Sequence, residues 1–356
     1  MPILPPPPVG SFVSDNAAGV SPEVMEALAA ANVGTAMAYG DDDWTRRAQA
    51  RLREVFDAPV RSYFCWGGTG ANVVGLASVL RPWQAVLTAA SAHIVVDECG
   101  APARFTGSTI VPIPTDDGRL SPDMLAPWLQ WQGSEHHPQP AVVSITQSTE
   151  MGTLYSVDEI GALCDAAHAA GMLVHLDGAR IANALVATGS DLPTMVRDTG
   201  VDLMTLGLTK DGAMFGETVV FVAAERDRAP LDAEARFVRK QAGQLVSKSR
   251  FVAAQVLALL EDDLWLANAR HANLMAARLA RSVEAIPGVR LADEPQVNSL
   301  FVHLPAAAIA PLQEWSFFWD WDLTVDLVRW MTSFATTDGD VQRFAAGVSA
   351  VLAGHA

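Results

Sequence analysis

Short apolar runs alternate with amphipathic segments over the first two thirds of the chain. Six of these runs are rich in aliphatic and β-branched residues and predict buried strands, at 85–91, 108–113, 141–145, 172–176, 203–208 and 218–223. Segments with apolar residues at helical spacing lie between them, including 45–56 and 157–170. This order predicts an α/β fold with a mostly parallel sheet covered by helices on both faces.

The pattern changes after Phe221, where the predicted elements become longer helices and isolated strands. Long helices are predicted at 233–260 and 263–285, short strands at 299–304 and 327–334, and a closing helix at 341–352. We therefore divide the chain into a flexible proline-rich tail (1–10), a large domain (11–250) and a small α+β C-terminal domain (251–356).

The composition argues against some classes of partner and indicates a cellular compartment. A chain of 356 residues, half of them hydrophobic, can bury a large core, and its net charge of −16 argues against nucleic acid or an anionic membrane as a partner. No apolar run is long enough to span a bilayer. Three cysteines without CxxC spacing, and a start unlike a signal peptide, indicate a protein of the reducing cytoplasm.

Two charged residues stand at the ends of apolar runs. Asp177 closes the run in VHLDGAR, and Lys210 closes the run in VDLMTLGLTKDG. A lysine amine can form a Schiff base with the aldehyde of pyridoxal 5′-phosphate, and a carboxylate can keep the pyridine nitrogen of that cofactor protonated. Taken singly, Lys210 could be a surface lysine and Asp177 a turn residue at the end of a strand.

Two further segments carry candidate cofactor chemistry. The glycine-rich turn from Gly67 to Gly70 opens a predicted helix, whose free N–H groups and dipole favour an anion such as phosphate, although a simple glycine turn has the same appearance. His93 begins another predicted helix, on which Asp97 shares its face four residues later. The imidazole could stack on a cofactor ring with Asp97 orienting it, or it could be satisfied at the start of the helix.

In this order the motifs resemble the pyridoxal-phosphate-dependent threonine aldolases of the beta-eliminating lyase group. The resemblance covers nearly the whole chain and rests most on HLDGAR and LTKDG, with support from SDNAAGVSPE, YGDDDWT, GGTGAN, AHIVVDECGAP, ITQSTEMGTLY and RKQAGQLVSKSRF. It implies the fold of the pyridoxal-phosphate-dependent transferases, which is fold type I, the aspartate aminotransferase type. It also implies a homodimer or homotetramer with active sites between subunits.

The resemblance assigns a role to each candidate site residue. The cofactor would be held by Lys210 as the Schiff-base lysine, by Asp177 at the pyridinium, by Gly68, Thr69 and Gly70 at the phosphate, and by His93 stacked on the ring. Arg180 would lie by the cofactor's phenolic oxygen or the substrate carboxylate, which Ser14 and Arg329 would also bind. Lys248 would reach a phosphate, in the same or a neighbouring subunit. No metal ligands are assigned.

The implied reaction is the retro-aldol cleavage of L-threonine, L-allo-threonine and related β-hydroxy-α-amino acids, including phenylserine, to glycine and an aldehyde. It would proceed through an external aldimine and a glycine quinonoid, with His93 and Asp97 as catalytic residues. Thr149 occupies a position where some threonine aldolases carry a second histidine, so a two-histidine mechanism does not transfer. The same residues also permit an aminotransferase, a β-eliminating lyase or a non-catalytic binding protein.

Overall fold

The computed structural model describes residues 4–223, 225–226 and 229–354, so that residues 1–3 of the predicted tail lie outside the described residues. The helices are α1 (Pro22–Ala31), α2 (Asp43–Val55), α3 (Gly68–Val79), α4 (His93–Val96), α5 (Ala101–Thr106), α6 (Pro122–Leu129), α7 (Val157–Ala169), α8 (Ile181–Thr188), α9 (Ala235–Gln241), α10 (Arg250–Leu260), α11 (Leu264–Val283), α12 (Ala306–Trp315) and α13 (Asp338–Ala353). The strands are β1 (Arg61–Cys65), β2 (Gln84–Ala89), β3 (Thr109–Ile113), β4 (Gln139–Thr146), β5 (Leu173–Gly178), β6 (Leu203–Leu206), β7 (Glu217–Phe221), β8 (Glu225–Arg226), β9 (Ala229–Pro230), β10 (Arg290–Leu291), β11 (Ser299–His303), β12 (Trp319–Asp322) and β13 (Leu327–Met331). None of the described helices is both long and apolar enough to cross a membrane.

The larger sheet has seven strands in the order β1-β7-β6-β5-β4-β2-β3. The strands from β3 to β6 pair in parallel, and β7 pairs antiparallel with both β6 and β1. Each of the six strands predicted from apolar runs lies in this sheet, because strands covered on both faces have continuous apolar sequences. The one strand of this sheet that the sequence did not predict is β1. Its sequence, RSYFC, is half polar, which suits a strand at the edge of the sheet.

A second, antiparallel sheet has the order β10-β11-β13-β12 and its own aromatic core. The ring of Phe344 on α13 lies 5.0 Å from that of Trp330 on β13 and 4.4 Å from that of Phe12. The segment that contains Phe12 therefore packs against the small domain, and the last residues of the predicted tail lie against the start of α13. The backbone N–H groups of Val9 and Gly10 each donate to Asp340 Oδ1 at 3.0 Å.

The chain between the two sheets departs from the predicted pattern. The long helix predicted at 233–260 is two helices, α9 and α10, and Gly243 in the loop between them has φ +73°, which ends helical geometry. Buried residues as far as Ala269 pack in the core of the large sheet, and buried residues from Met275 pack in the core of the small sheet. The two cores thus meet along α11, beyond the predicted boundary at residue 250.

The sheet also leaves no room for a side chain at Gly207, three residues before Lys210. A Cβ at Gly207 would lie 2.5 Å from the carbonyl oxygen of Ala179 and 2.6 Å from its Cα, both of them backbone atoms. Since backbone cannot rotate away as a side chain can, we predict that Gly207→Ala lowers the free energy of unfolding by about 1–3 kcal/mol. Urea denaturation followed by tryptophan fluorescence measures this change.

The matched control is Gly161→Ala in the middle of α7, where a Cβ would meet no atom within 4 Å. Alanine stabilises a helix interior relative to glycine by about 0.5–1 kcal/mol, so the control should be as stable as the parent or more stable. A Gly207→Ala variant with undiminished stability would show that the close approach of the two strand ends is relaxed at no cost.

Candidate active site

The carboxyl ends of β5 and β6 open into a cavity of about 260 Å³. Ligand sites of open α/β sheets lie in this position, because the loops that follow the parallel strands leave a crevice there. Five predicted site residues line the cavity, namely Gly68, Thr69, His93, Asp177 and Lys210. Its wall also contains polar residues that the sequence did not single out, namely Asn16, Asn72, Glu98, Thr209 and Glu217.

Lys210 lies in a short 3-10 turn, Thr209–Asp211, that follows β6. The turn is braced by Glu217 at the start of β7, whose Oε2 accepts a hydrogen bond of 2.7 Å from the backbone N–H of Leu208. Burial raises the pKa of Glu217 to about 7, against the opposing effects of its hydrogen bonds and of the nearby Lys210.

Asp177 is held on both carboxylate oxygens. Its Oδ1 accepts from the N–H of Ala179 at 3.1 Å, and its Oδ2 accepts from Asn72 Nδ2 on α3 at 2.8 Å. The same Nδ2 donates to Glu98 Oε1 at 2.7 Å, while Asn72 Oδ1 accepts from Thr205 Oγ1 at 2.7 Å. One asparagine amide therefore separates two buried carboxylates and is itself oriented by a threonine.

His93 is partnered by Glu98, whereas the sequence predicted Asp97. His93 Nδ1 lies 2.9 Å from Glu98 Oε1, and the side chain of Glu98 is fully buried. This contact, opposed by burial and assisted by Glu150 and Asp177, raises the pKa of His93. The prediction of Asp97 assumed a longer helix. Because α4 ends at Val96, the chain turns there and Asp97 lines a different cavity.

The glycine-rich turn places the start of α3 against the cavity. Gly67 is the N-cap residue, no side chain among the described residues caps this helix end, and Gly67, Gly68 and Thr69 line the cavity. The predicted third member, Gly70, does not line the cavity. A Cβ at Gly70 would lie 2.1 Å from Gln244 Oε1, so this glycine makes room for the Gln244 side chain.

Arg180 forms a buried ion pair with Asp15, a residue that the sequence did not assign. Arg180 Nε and Nη2 donate to the two carboxylate oxygens of Asp15 at 2.7 and 3.1 Å, and Asn298 Nδ2 donates to Oδ2 at 3.1 Å. Burial alone would raise the pKa of Asp15, but Arg180 and Lys210 hold it well below its usual range. The neighbouring Ser14 caps the turn Asp15–Ala17 by accepting from Asn16 N–H.

The remaining predicted residues lie around this cavity rather than in it. Arg329 and Asp97 line a second cavity of about 580 Å³, and burial and the nearby Arg180 lower the pKa of Arg329. Lys248 lines a third cavity of about 670 Å³. Thr149 is buried in a loop that it stabilises, where its hydroxyl lies 2.6 Å from that of Thr153.

Comparison with known proteins supports a single family. The model of the beta-eliminating lyase family matches residues 11–307. A Pseudomonas aeruginosa protein named low specificity L-threonine aldolase is 38% identical over 332 residues, which is 89% of this chain and 94% of that protein. A Pseudomonas sp. protein of the same name is 36% identical over 344 residues, which is 96% of this chain and 97% of that protein.

Solved structures agree with these sequences. The threonine aldolase of Leishmania major superimposes with a TM-score of 0.87 at 32% identity, covering 95% of this chain and 98% of that one. N-succinyldiaminopimelate aminotransferase from Mycobacterium tuberculosis superimposes with a TM-score of 0.71 at 20% identity, covering 96% and 92%, and so shares the fold. The predicted α/β fold of type I is confirmed, and the chain belongs to the beta-eliminating lyase family.

Proposed function

We propose that this protein is an aldolase dependent on pyridoxal 5′-phosphate that cleaves L-threonine, L-allo-threonine and related β-hydroxy-α-amino acids, including phenylserine, to glycine and an aldehyde. The observation that carries this proposal is the convergence of Lys210, Asp177 and His93 on one cavity beside the uncapped start of α3. The family and the names of its relatives in Pseudomonas support the same reaction.

The cavity has the donor set that the cofactor needs. The chain has three lysines, all of them among the described residues, and Lys210 alone lines this cavity, where its amine would hold the cofactor aldehyde. Asp177 would face the ring nitrogen, and the first N–H groups of α3 would hold the phosphate. Bound there, pyridoxal phosphate supplies an electron sink for cleavage of the bond between Cα and Cβ of the substrate.

In this proposal His93 accepts the proton of the substrate β-hydroxyl. Because the buried Glu98 carboxylate accepts a hydrogen bond, it fixes the proton of the neutral imidazole on Nδ1 and leaves the lone pair on Nε2. A positioned general base of this kind contributes roughly two to four orders of magnitude to the rate. We assign the orienting role to Glu98, which replaces Asp97 in this proposal.

Arg329 is the better of the two arginines for the substrate carboxylate. Both carboxylate oxygens of Asp15 already occupy the guanidinium of Arg180. By contrast, Arg329 Nε is buried and has no hydrogen-bond partner among the described residues. Arg329 also lines the second cavity, so a carboxylate bound there can accept from the outer nitrogens of its guanidinium. Ser14, next to Asp15, would contribute its hydroxyl.

We also propose a homodimer or homotetramer in the cytoplasm. The third cavity combines apolar side chains with Lys248, and the exposed fractions of Met25, Trp66 and Met214 on its wall are 48%, 46% and 44%. Trp66 and Met214 line the first cavity as well, so a second copy seated here would adjoin the active site and receive Lys248. The three cysteines are unpaired, which suits a reducing compartment.

The proposed assembly predicts a mass above that of one chain. Sedimentation velocity at micromolar concentration should give a dimer or tetramer, and Met25→Glu should shift the distribution towards monomer because it buries a charge in the interface. Leu274→Glu, at an apolar position of 43% exposure on α11, is the matched control that should leave the mass unchanged. A parent protein that sediments as a monomer at every concentration would contradict the assembly.

The assignment of Lys210 predicts a loss of both colour and turnover. Lys210→Ala should abolish the absorption band of the Schiff base between lysine and cofactor, and the release of acetaldehyde and glycine from L-threonine, because no other lysine lines the cavity. Lys240→Ala, an exposed position, is the control that should retain both. For the parent protein, formation of ammonia and a keto acid from L-threonine would indicate a β-eliminating lyase instead. Consumption of a keto-acid acceptor by the parent would indicate an aminotransferase.

The contact between His93 and Glu98 predicts a pH dependence. The base must be neutral, so kcat/KM should fall as the pH drops through the raised pKa of His93. Glu98→Gln removes the charge that raises this pKa and should therefore move the acid limb of the pH profile to lower pH. Asp97→Asn should leave the limb in place. A shift of the acid limb in Asp97→Asn, with no shift in Glu98→Gln, would instead support the pairing of His93 with Asp97 that the sequence predicted.

A further inference from the structure

The second cavity, of about 580 Å³, adjoins the proposed catalytic base and has no part in the mechanism beyond the contribution of Arg329. The short helix α4 separates the two cavities. His93 at its start lines the first, while Val96 and Asp97 at its end line the second. A substrate whose β-hydroxyl reaches His93 and whose carboxylate reaches Arg329 therefore has this space beside its β-carbon.

Two tryptophans of the edge strand β12, Trp319 and Trp321, line this cavity. Trp319 is paired with Arg329 across the two strands, so the two side chains project from the same face of the sheet. The register shifts between Asp320 and Asp322, which leaves Trp321 as the extra residue of a β-bulge. Bulges re-aim side chains, and this one places the Trp321 ring against the Arg329 guanidinium, 5.1 Å from the ring centroid.

The rings of Trp319 and Trp321 differ in how much of their surface is already covered by neighbouring side chains. Trp321 is occupied on its face by Arg329 and at its edge by Phe301, whose ring centroid is 5.0 Å away. Trp319 is 52% exposed and meets only Phe317 among the described rings, edge to face at 5.0 Å. A half-exposed tryptophan on a cavity wall offers apolar surface that an aromatic ligand can cover.

We propose that the second cavity receives the β-substituent of the substrate and that Trp319 is a specificity-determining residue that favours an aryl group over a methyl group. This inference rests on the proposed function, because Arg329 and His93 set the position of the β-carbon. A methyl group would leave most of the cavity to water, whereas a phenyl ring can pack on Trp319 and on Met151, which also lines the cavity. Asp97 and Asp320, which also line the cavity, disfavour an anionic substituent.

Binding of amino acids that lack a β-hydroxyl, and so cannot be cleaved, tests the cavity without turnover. Isothermal titration calorimetry of the holoenzyme should show L-phenylalanine binding about 3- to 10-fold more tightly than L-2-aminobutyrate, the range expected for one aromatic contact. Trp319→Ala should remove this difference and Trp319→Phe should retain it. The control is Trp83→Ala, which deletes an exposed tryptophan just before β2, at the end of that strand away from the cavity. It should leave the difference unchanged.

Cleavage kinetics provide the second measurement. The ratio of kcat/KM for L-phenylserine to that for L-threonine should fall about 3- to 10-fold in Trp319→Ala and should be restored in Trp319→Phe. Equal binding of the two analogues by the parent, or a difference that survives Trp319→Ala, would overturn the inference. If the parent bound both analogues with the expected difference but released no aldehyde, the proposed reaction would fail while the cavity assignment stood.

Discussion

The site depends on one side-chain amide, that of Asn72. Its Nδ2 group donates one hydrogen bond to Asp177 and one to Glu98. These two carboxylates are both buried and of like charge. Buried charges without such donors are strongly destabilising, because the lost hydration is not replaced. Through Asn72 and Thr205, helix α3, strands β5 and β6 and the turn after α4 are joined in one hydrogen-bonded unit. Asp177, proposed to bind the cofactor, and the proposed base His93 are thus positioned through the same amide.

A second buried polar unit connects the sheet to the small domain. Asp15 comes from the N-terminal segment, Arg180 follows β5, and Asn298 precedes β11, so three distant parts of the chain meet on one carboxylate. Phe12, three residues earlier, is buried in the core of the small sheet. The position of Arg329 relative to His93 therefore depends on packing between the two cores as well as on the local strands. This dependence would link the substrate binding proposed for Arg329 to the stability of both domains.

Much of the fold was predictable because buried parallel strands produce uninterrupted apolar runs. The sequence singled out Asp177 and Lys210 because each ends such a run, and both line the cavity. The residues that the sequence did not identify were missed for two physical reasons. The spacing of His93 and Asp97 suited a helix that stops one residue too early, so Glu98 was missed. The pair of Asp15 with Arg180 spans 165 residues, and no periodicity of the sequence encodes a contact of that range.

The acidity of the chain opposes the binding of an anionic cofactor, and contacts within the proposed site reduce this opposition. A net charge of −16 disfavours an anionic cofactor, and three carboxyl groups line the proposed cavity. Two of them are compensated by the Asn72 amide, and Glu98 also by His93. The third, Glu217, has its pKa raised to about 7 by burial, and a phosphate nearby would raise that pKa further. Anion binding would thus favour the neutral form of Glu217, so that the start of α3 and Lys210 dominate the local field.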